Sequence, residues 1–153
     1  MTTVATQVVL DTNVVLDCFL FRDPSARVIM AAIESRQWHW IGTQAMADEL
    51  KSVVNRPELQ RWQARRVTTL AEWAKRCELV NPPAQSAPAE LTCSDRDDQL
   101  FIDLAWARRS SCLFTRDKAL LRLAGRATTF GVKVLRPADW LANETGPPQS
   151  QRP

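Results

Sequence analysis

The sequence predicts an α/β fold in which helices cover both faces of a central parallel β-sheet, a three-layer α/β/α sandwich. Two observations lead to this prediction. Short apolar runs typical of strands alternate with amphipathic helical patterns, and that alternation favours parallel strands joined by helical crossovers. Two of the runs, 8–10 and 112–115, are followed closely by an acid, as expected where parallel strands end at a ligand-binding edge.

The predicted elements follow from local signals. Asp23 before Pro24 begins a helix, Thr43 caps the next one, and Pro57 ends it. The segment at residues 81–88 contains three prolines and has the composition of a loop. The predicted strands are residues 4–10, 38–41, 112–115 and 132–135. The other predicted helices are residues 43–54, 58–77, 97–109 and 118–124, with a last helical turn at 137–141.

Composition favours a single globular domain and excludes few functions. The chain has 153 residues, 45% of them hydrophobic, and a net charge of +3, which permits nucleic-acid binding without arguing for it. We expect a domain at residues 1–142 and a disordered tail at 143–153, because the tail lacks core-forming residues. No run approaches the length of a transmembrane helix, and no signal peptide is recognisable. A cytoplasmic protein without a membrane partner is therefore expected.

Histidine and cysteine chemistry are disfavoured. The single histidine, His39, lies in a strand-like stretch and is expected to be packed or hydrogen-bonded. The four cysteines form no C-x-x-C pair, so they are expected to be reduced thiols, and a zinc site is disfavoured. The chemistry of the chain is therefore expected to depend on its acids.

Position on a predicted helix separates two adjacent acids of the helix at residues 43–54. Residues three and four positions away share a helix face. Those neighbours are mostly polar for Asp48 and mostly apolar for Glu49. Glu49 is therefore expected to face the sheet, where a buried charge needs a partner, although an edge glutamate reaching water is an alternative.

The acidic run at residues 95–98 has two interpretations. Acids favour a helix N-terminus and can cap it, but capping uses one or two of the three acids present. Asp98 and Asp97 both lie over apolar residues of the following helix, so the pattern does not separate them. Asp117 follows the third predicted strand and also fits the cap of the next helix.

Four acids of the predicted sheet, each in a separate element, indicate a metal site: Asp11, Glu49, Asp98 and Asp117. Carboxylates that share a site repel one another unless cations neutralise them. Oxygen ligands favour hard cations such as Mg²⁺ or Mn²⁺.

The chain resembles PIN-domain proteins over most of its length, from about residue 8 to about residue 141. None of the matching motifs is specific by itself, but the order and spacing of the motifs are specific when taken together. The matching motifs are VLDTNV at 9–14, EL at 49–50 followed by VNRP at 54–57, DQLFIDLA at 98–105 and LFTRD at 113–117. The subgroup that the chain most resembles contains toxins of bacterial toxin–antitoxin pairs.

The resemblance implies an endoribonuclease that hydrolyses RNA phosphodiesters with Mg²⁺ or Mn²⁺ and leaves 5′-phosphate and 3′-hydroxyl ends. The matching positions imply that the metal ligands are Asp11, Glu49, Asp98 and Asp117, with Asp97 or Asp95 as alternatives for the third. Support from Thr12, Asn13 and Thr115 is also implied. A cognate antitoxin and a homodimer are the implied partners.

Basic side chains are expected to bind the RNA phosphates. Residues 51–76 hold seven basic and two acidic residues, and Arg61 and Arg65 stand one turn apart there, although an ordinary solvated helix face is the favoured explanation for them. Arg116, beside the fourth acid, is the strongest single candidate. Two alternatives are a non-catalytic PIN-like module that binds RNA or a partner, and a haloacid-dehalogenase-type phosphatase. The phosphatase needs an acid where Asn13 stands.

Overall fold

A parallel five-stranded sheet forms the centre of the protein, a computed structural model that describes residues 6–140. Its strands are β1 (Thr6–Leu10), β2 (Trp38–Gly42), β3 (Glu78–Leu79), β4 (Cys112–Phe114) and β5 (Lys133–Leu135). Their spatial order is β3-β2-β1-β4-β5, and every neighbouring pair is parallel. The α/β fold with a parallel sheet is thereby confirmed.

Seven α-helices connect these strands: α1 (Thr12–Phe19), α2 (Arg27–Glu34), α3 (Gln44–Val54), α4 (Gln63–Arg76), α5 (Gln99–Ala107), α6 (Lys118–Leu121) and α7 (Ala124–Thr128). Short 3-10 helices lie at Pro24–Ala26, Pro57–Trp62, Ala89–Leu91 and Arg96–Asp98, and residues 137–140 form a helical turn. Helix α1 contacts α2, α3 and α4, whereas α5 packs on β1 and β4. Right-handed crossovers place these two groups on opposite faces of the sheet.

Several predicted boundaries were wrong. The helix predicted at 58–77 is a 3-10 helix, Pro57–Trp62, followed by α4, because the backbone of Trp62 leaves the α region at the junction. The helix predicted at 118–124 is divided into α6 and α7. Helix α1 and strand β3 were not predicted. Three apolar residues in a row fit a buried strand or a buried helix equally well, and the two exposed residues of β3 carry no alternation.

Apolar side chains on both faces of the sheet form one continuous core. Val8 and Val9 on β1 are fully buried, as expected for a central strand of a parallel sheet. Trp40 on β2 packs against Phe19 and Trp73, with ring centroids 6.1 and 6.0 Å away. The core therefore fixes α1 and α4 against the sheet next to β1.

Other predictions fall at the margins of the fold. His39 pairs with Glu78 at 2.5 Å, which agrees with a hydrogen-bonded rather than a catalytic histidine. All four cysteines are unpaired. Among the described residues no helix has the length and apolar character needed to cross a membrane. The predicted tail at 143–153 lies outside the described residues.

Gly42, at the end of β2, is expected to tolerate no side chain. A Cβ atom there would lie 2.8 Å from the Sγ atom of Cys77 and 2.9 Å from a ring carbon of Trp73, both buried. We predict that Gly42→Ala lowers the free energy of unfolding by about 1–3 kcal/mol, the usual cost of overpacking a core. Urea denaturation measures this change.

The matched control is Gly125→Ala in α7, where an added Cβ meets no atom within 4 Å. That substitution is expected to leave stability unchanged or to raise it by up to about 1 kcal/mol, because alanine is the better helix former. Equal effects of the two substitutions would contradict the packing argument.

Candidate active site

The site forms where β1 and β4 end side by side. In this parallel pair Leu10 lies opposite Phe114, and the backbone N–H of Asp11 donates to the carbonyl of Phe114 at 2.9 Å. The connections run outward in opposite directions from this pair, and such a reversal opens a crevice beyond the carboxyl ends of the strands. Asp11 therefore enters the crevice directly from the sheet.

Thr115 joins two acids through one hydroxyl group. Its Oγ1 donates to Oδ2 of Asp11 at 2.7 Å and accepts from the backbone N–H of Asp117 at 2.9 Å. Asp117 in turn begins α6, where its Oδ1 accepts from the N–H of Ala119 at 2.8 Å. The end of β4 thus fixes the position of both carboxylates.

Asp98 approaches from the other side, at the start of α5. One carboxylate oxygen from each of Asp95, Asp98 and Asp117 can be chosen so that all three lie within 4.8 Å of one another. The side chain of Asp98 is nearly buried, and its Oδ2 has no hydrogen-bond donor among residues 6–140. Asp97 is exposed, and its backbone N–H is capped by Asp95 at 3.0 Å.

Glu49 reaches the same region from α3. The hydroxyl of Thr12, at the start of α1, donates to Oε2 of Glu49. Glu49 is half-buried, whereas its neighbour Asp48 is exposed and bonded to Gln44 on the helix surface at 3.0 Å. The two acids therefore occupy the helix faces that the sequence pattern predicts.

The acids influence one another electrostatically. Burial raises the pKa of Asp11 to about 6; the hydrogen bond from Thr115 opposes this rise, and repulsion from Glu49 and Asp117 adds to it. Burial, and after it repulsion from Asp11, raises the pKa of Asp98 to about 8, with contributions from Asp117 and Asp95. The crevice therefore concentrates negative charge.

No basic side chain in the described part of the chain forms an ion pair with these acids. The donors are oxygen atoms of carboxylates, and Oδ2 of Asp98 is buried without a donor. Such a set suits a hard divalent cation, which would satisfy the vacant oxygen and offset the repulsion.

Asn13 connects the first acid to the β4 loop. Its Nδ2 lies 3.4 Å from Oδ2 of Asp11, and its Oδ1 accepts from the backbone N–H of Arg116 at 3.3 Å. The three residues predicted to support the acids, Thr12, Asn13 and Thr115, each contact an acid of the site.

The three arginines predicted to bind RNA all have partners within the protein. Arg116 forms a bidentate ion pair with Asp17 in α1, at 2.6 and 3.2 Å. The guanidinium groups of Arg61 and Arg65 lie 5.0 and 5.2 Å from the ring centroid of Trp62. Arg65 also donates to the carbonyl of Leu20 at 3.1 Å.

Sequence reasoning missed the partner of Arg116. Asp17 is 4% exposed and lies in a helix whose other buried residues are mostly apolar. A carboxylate in such a helix signals a buried partner, because burying an unpaired charge is costly. The pattern names no partner, since Arg116 is 99 residues away in the sequence.

Comparisons with known proteins identify a family for this fold. A family model described as "PIN domain" matches residues 7–119. The VapBC2 structure from Rickettsia felis, solved bound to a promoter DNA fragment, is similar with a TM-score of 0.56 and 13% identity, over 84% of this chain and 96% of that one. The T. brucei RRP44 PIN domain gives a TM-score of 0.43 and 16% identity, over 91% and 80%. Among curated proteins no significant match is found.

In metal-free protein, the raised pKa of Asp98 is expected to make stability depend on pH. The pKa of Asp98 is about 8 in the folded protein and near 3.8 in an unfolded chain, so the folded state binds more protons between these values. In EDTA, stability should therefore fall as pH rises from about 5 to about 8, by up to ~1.4 kcal/mol per pH unit for this one group. Urea denaturation at several pH values measures the slope.

Asp98→Asn removes the titrating group and is expected to flatten this slope, so that the variant exceeds the wild type in stability near pH 8. Asp48→Asn, an exposed acid on α3, is the control and should keep the wild-type slope. A wild-type slope in Asp98→Asn would show that burial and the neighbouring acids do not raise the pKa of Asp98 in the metal-free protein.

Proposed function

This chain belongs to the PIN domain family, because the family model covers most of its length, and on that basis we propose that it is a metal-dependent endoribonuclease. One observation carries the proposal. Four carboxylates from separate elements converge on the crevice beyond β1 and β4, where no described basic side chain neutralises them: Asp11, Glu49, Asp98 and Asp117. PIN domains are generally nucleases, which fits this arrangement.

The proposed metal ligands are the same four acids, with Asp98 in third place. Asp98 lies near Asp117 and repels Asp11, whereas Asp97 is exposed to solvent. Asp95 is a further candidate from the acidic run, because it shares the cluster with Asp98. The carboxylate oxygens favour Mg²⁺ or Mn²⁺ over softer ions.

A bound divalent cation supplies two effects to phosphodiester hydrolysis: it lowers the pKa of a water molecule and stabilises charge developing on the phosphate. The chain holds the ligands in place. Thr115 orients Asp11 and Asp117 together, and Thr12 holds Glu49. The proposed mechanism does not use His39. That residue pairs with Glu78, which lies in strand β3.

The toxin role and the partners rest on the motifs of the sequence. We propose that the substrate is RNA, that the chain is the toxin of a toxin–antitoxin pair, and that it acts in the cytoplasm as a homodimer. Copurification with the product of a small adjacent gene, and light scattering of the purified chain, test the two assemblies.

We predict that the purified chain cleaves single-stranded RNA with Mg²⁺ or Mn²⁺ and that EDTA abolishes the cleavage. Asp11→Asn should lower the rate at least ~100-fold, because changes in the outer shell of a metal site alone commonly cost ~10–100-fold. Gel analysis of end-labelled RNA measures the rate and shows whether the products carry 5′-phosphates. Asp48→Asn, exposed on the surface of α3, is the matched control. Wild-type cleavage by pure Asp11→Asn protein would refute the mechanism.

Metal binding can be measured without activity. We predict that Mn²⁺ stabilises the wild-type protein, by about 2.7 kcal/mol at a concentration 100 times its Kd, and that Asp98→Asn loses most of this gain. Thermal unfolding with and without Mn²⁺ provides the measurement. Stabilisation by Mn²⁺ in a protein that cuts no RNA would instead favour a non-catalytic binding module.

A further inference from the structure

One edge of the Arg116 guanidinium is hydrogen-bonded to Asp17, and within the described residues its other edge is free. Its Nε and Nη2 atoms donate to the two carboxylate oxygens of Asp17, at 2.6 and 3.2 Å. Its side chain is still 49% exposed, and within residues 6–140 its Nη1 has no acceptor. A guanidinium carries five N–H donors in a planar fork, so an ion pair of this kind leaves one edge free for a second acceptor.

The position of the Arg116 guanidinium depends on residues next to the active-site acids. Arg116 stands in the chain between Thr115 and Asp117, and its backbone N–H donates to the side chain of Asn13. Asp17 is four residues after Asn13 in α1, so the two share the helix face that looks toward β4. The backbone of Arg116 is therefore fixed between the end of β4 and Asp117, and its side chain extends to Asp17 on α1.

Asp17 is buried, whereas most aspartates lie at the protein surface. It is 4% exposed, in a helix whose other buried residues are mostly apolar. The nearby Asp23 is committed elsewhere, because its Oδ1 accepts from the backbone N–H and the hydroxyl of Ser25 at 2.9 and 2.8 Å. Among residues 6–140, Asp17 is the acid that forms hydrogen bonds with the guanidinium of Arg116, while Asp23 attracts it without such a bond.

We propose that Asp17 is a positioning residue: it holds Arg116 so that the free edge of the guanidinium binds a non-bridging oxygen of the RNA phosphate beside the scissile bond. This inference rests on the proposed ribonuclease function. Bidentate pairing gives an arginine a fixed plane as well as a fixed position. A lysine in the same place would have a charge but no second fixed edge.

The test compares Asp17→Asn and Arg116→Lys with the wild type in single-turnover and steady-state cleavage of RNA with Mg²⁺. Each variant should lower kcat by ~10–100-fold, the cost of misplacing a group that orients the substrate, and change KM much less. The double variant should be no slower than the slower single variant, because both changes disrupt one unit. A residue that only supports the fold would not couple to Arg116 in this way.

The control is Asp139→Asn, which breaks another bidentate arginine pair, Arg136–Asp139 at 2.9 and 3.0 Å, on the exposed surface after β5. Its kcat should equal that of the wild type. Urea denaturation of each variant ensures that the assays use folded protein. If Asp17→Asn does not fold, Arg116→Lys decides, and an unchanged kcat in that variant overturns the proposal.

Two failures can be told apart. Wild-type protein that cuts no RNA with either metal refutes the ribonuclease function, and this inference with it. Wild-type protein that cuts RNA, beside an equally active folded Asp17→Asn variant, refutes the inference alone. Additive losses in the double variant would likewise overturn it, because they would show that the two residues act independently.

Discussion

The parallel pairing of β1 with β4 is the constraint on which the site depends. This register sets Leu10 opposite Phe114, so the next residues, Asp11 and Thr115, leave the sheet side by side and join at 2.7 Å. A slip of one residue would turn the side chains of one strand to the opposite face and separate this pair. Helices α1 and α6 both begin just beyond the junction, so the register also places Thr12 and Asp117.

The hydrogen bonds of the site orient its acids, whereas the charges of the acids repel one another. Thr115 and Thr12 each donate to a carboxylate, which orients it, but a hydroxyl donor cannot neutralise an acid. The pKa values of Asp11 and Asp98, raised to about 6 and about 8, record the remaining cost. A fold selected only for stability would not gather acids in this crevice, since buried charges without partners cost several kcal/mol. The arrangement therefore favours a function in which bound cations neutralise these acids.

Local signals predict strands β1, β2, β4 and β5 and the acids that follow β1 and β4, because an apolar run and the residues just after it are contiguous in the sequence. The face of Glu49 was also predictable, since helical periodicity relates it to near neighbours. Contacts across the fold were not predictable. The pairing of Arg116 with Asp17 spans 99 residues, and β3 exists because β2 offers two residues an edge to pair with. Nothing in either local sequence records its partner.

Several arginines of the basic stretch at residues 51–76 have partners within the fold. Arg61 and Arg65 cover Trp62, and Arg66 donates to Asn55 at 2.7 Å. Arg116 lies closest in sequence to the acids but does not neutralise them, because its charge is committed to Asp17. The acids of the crevice thus remain without a basic partner among residues 6–140, while one edge of the Arg116 guanidinium stays open. Under the proposed function, this separation of charges would let one site hold both a cation and an anionic phosphate.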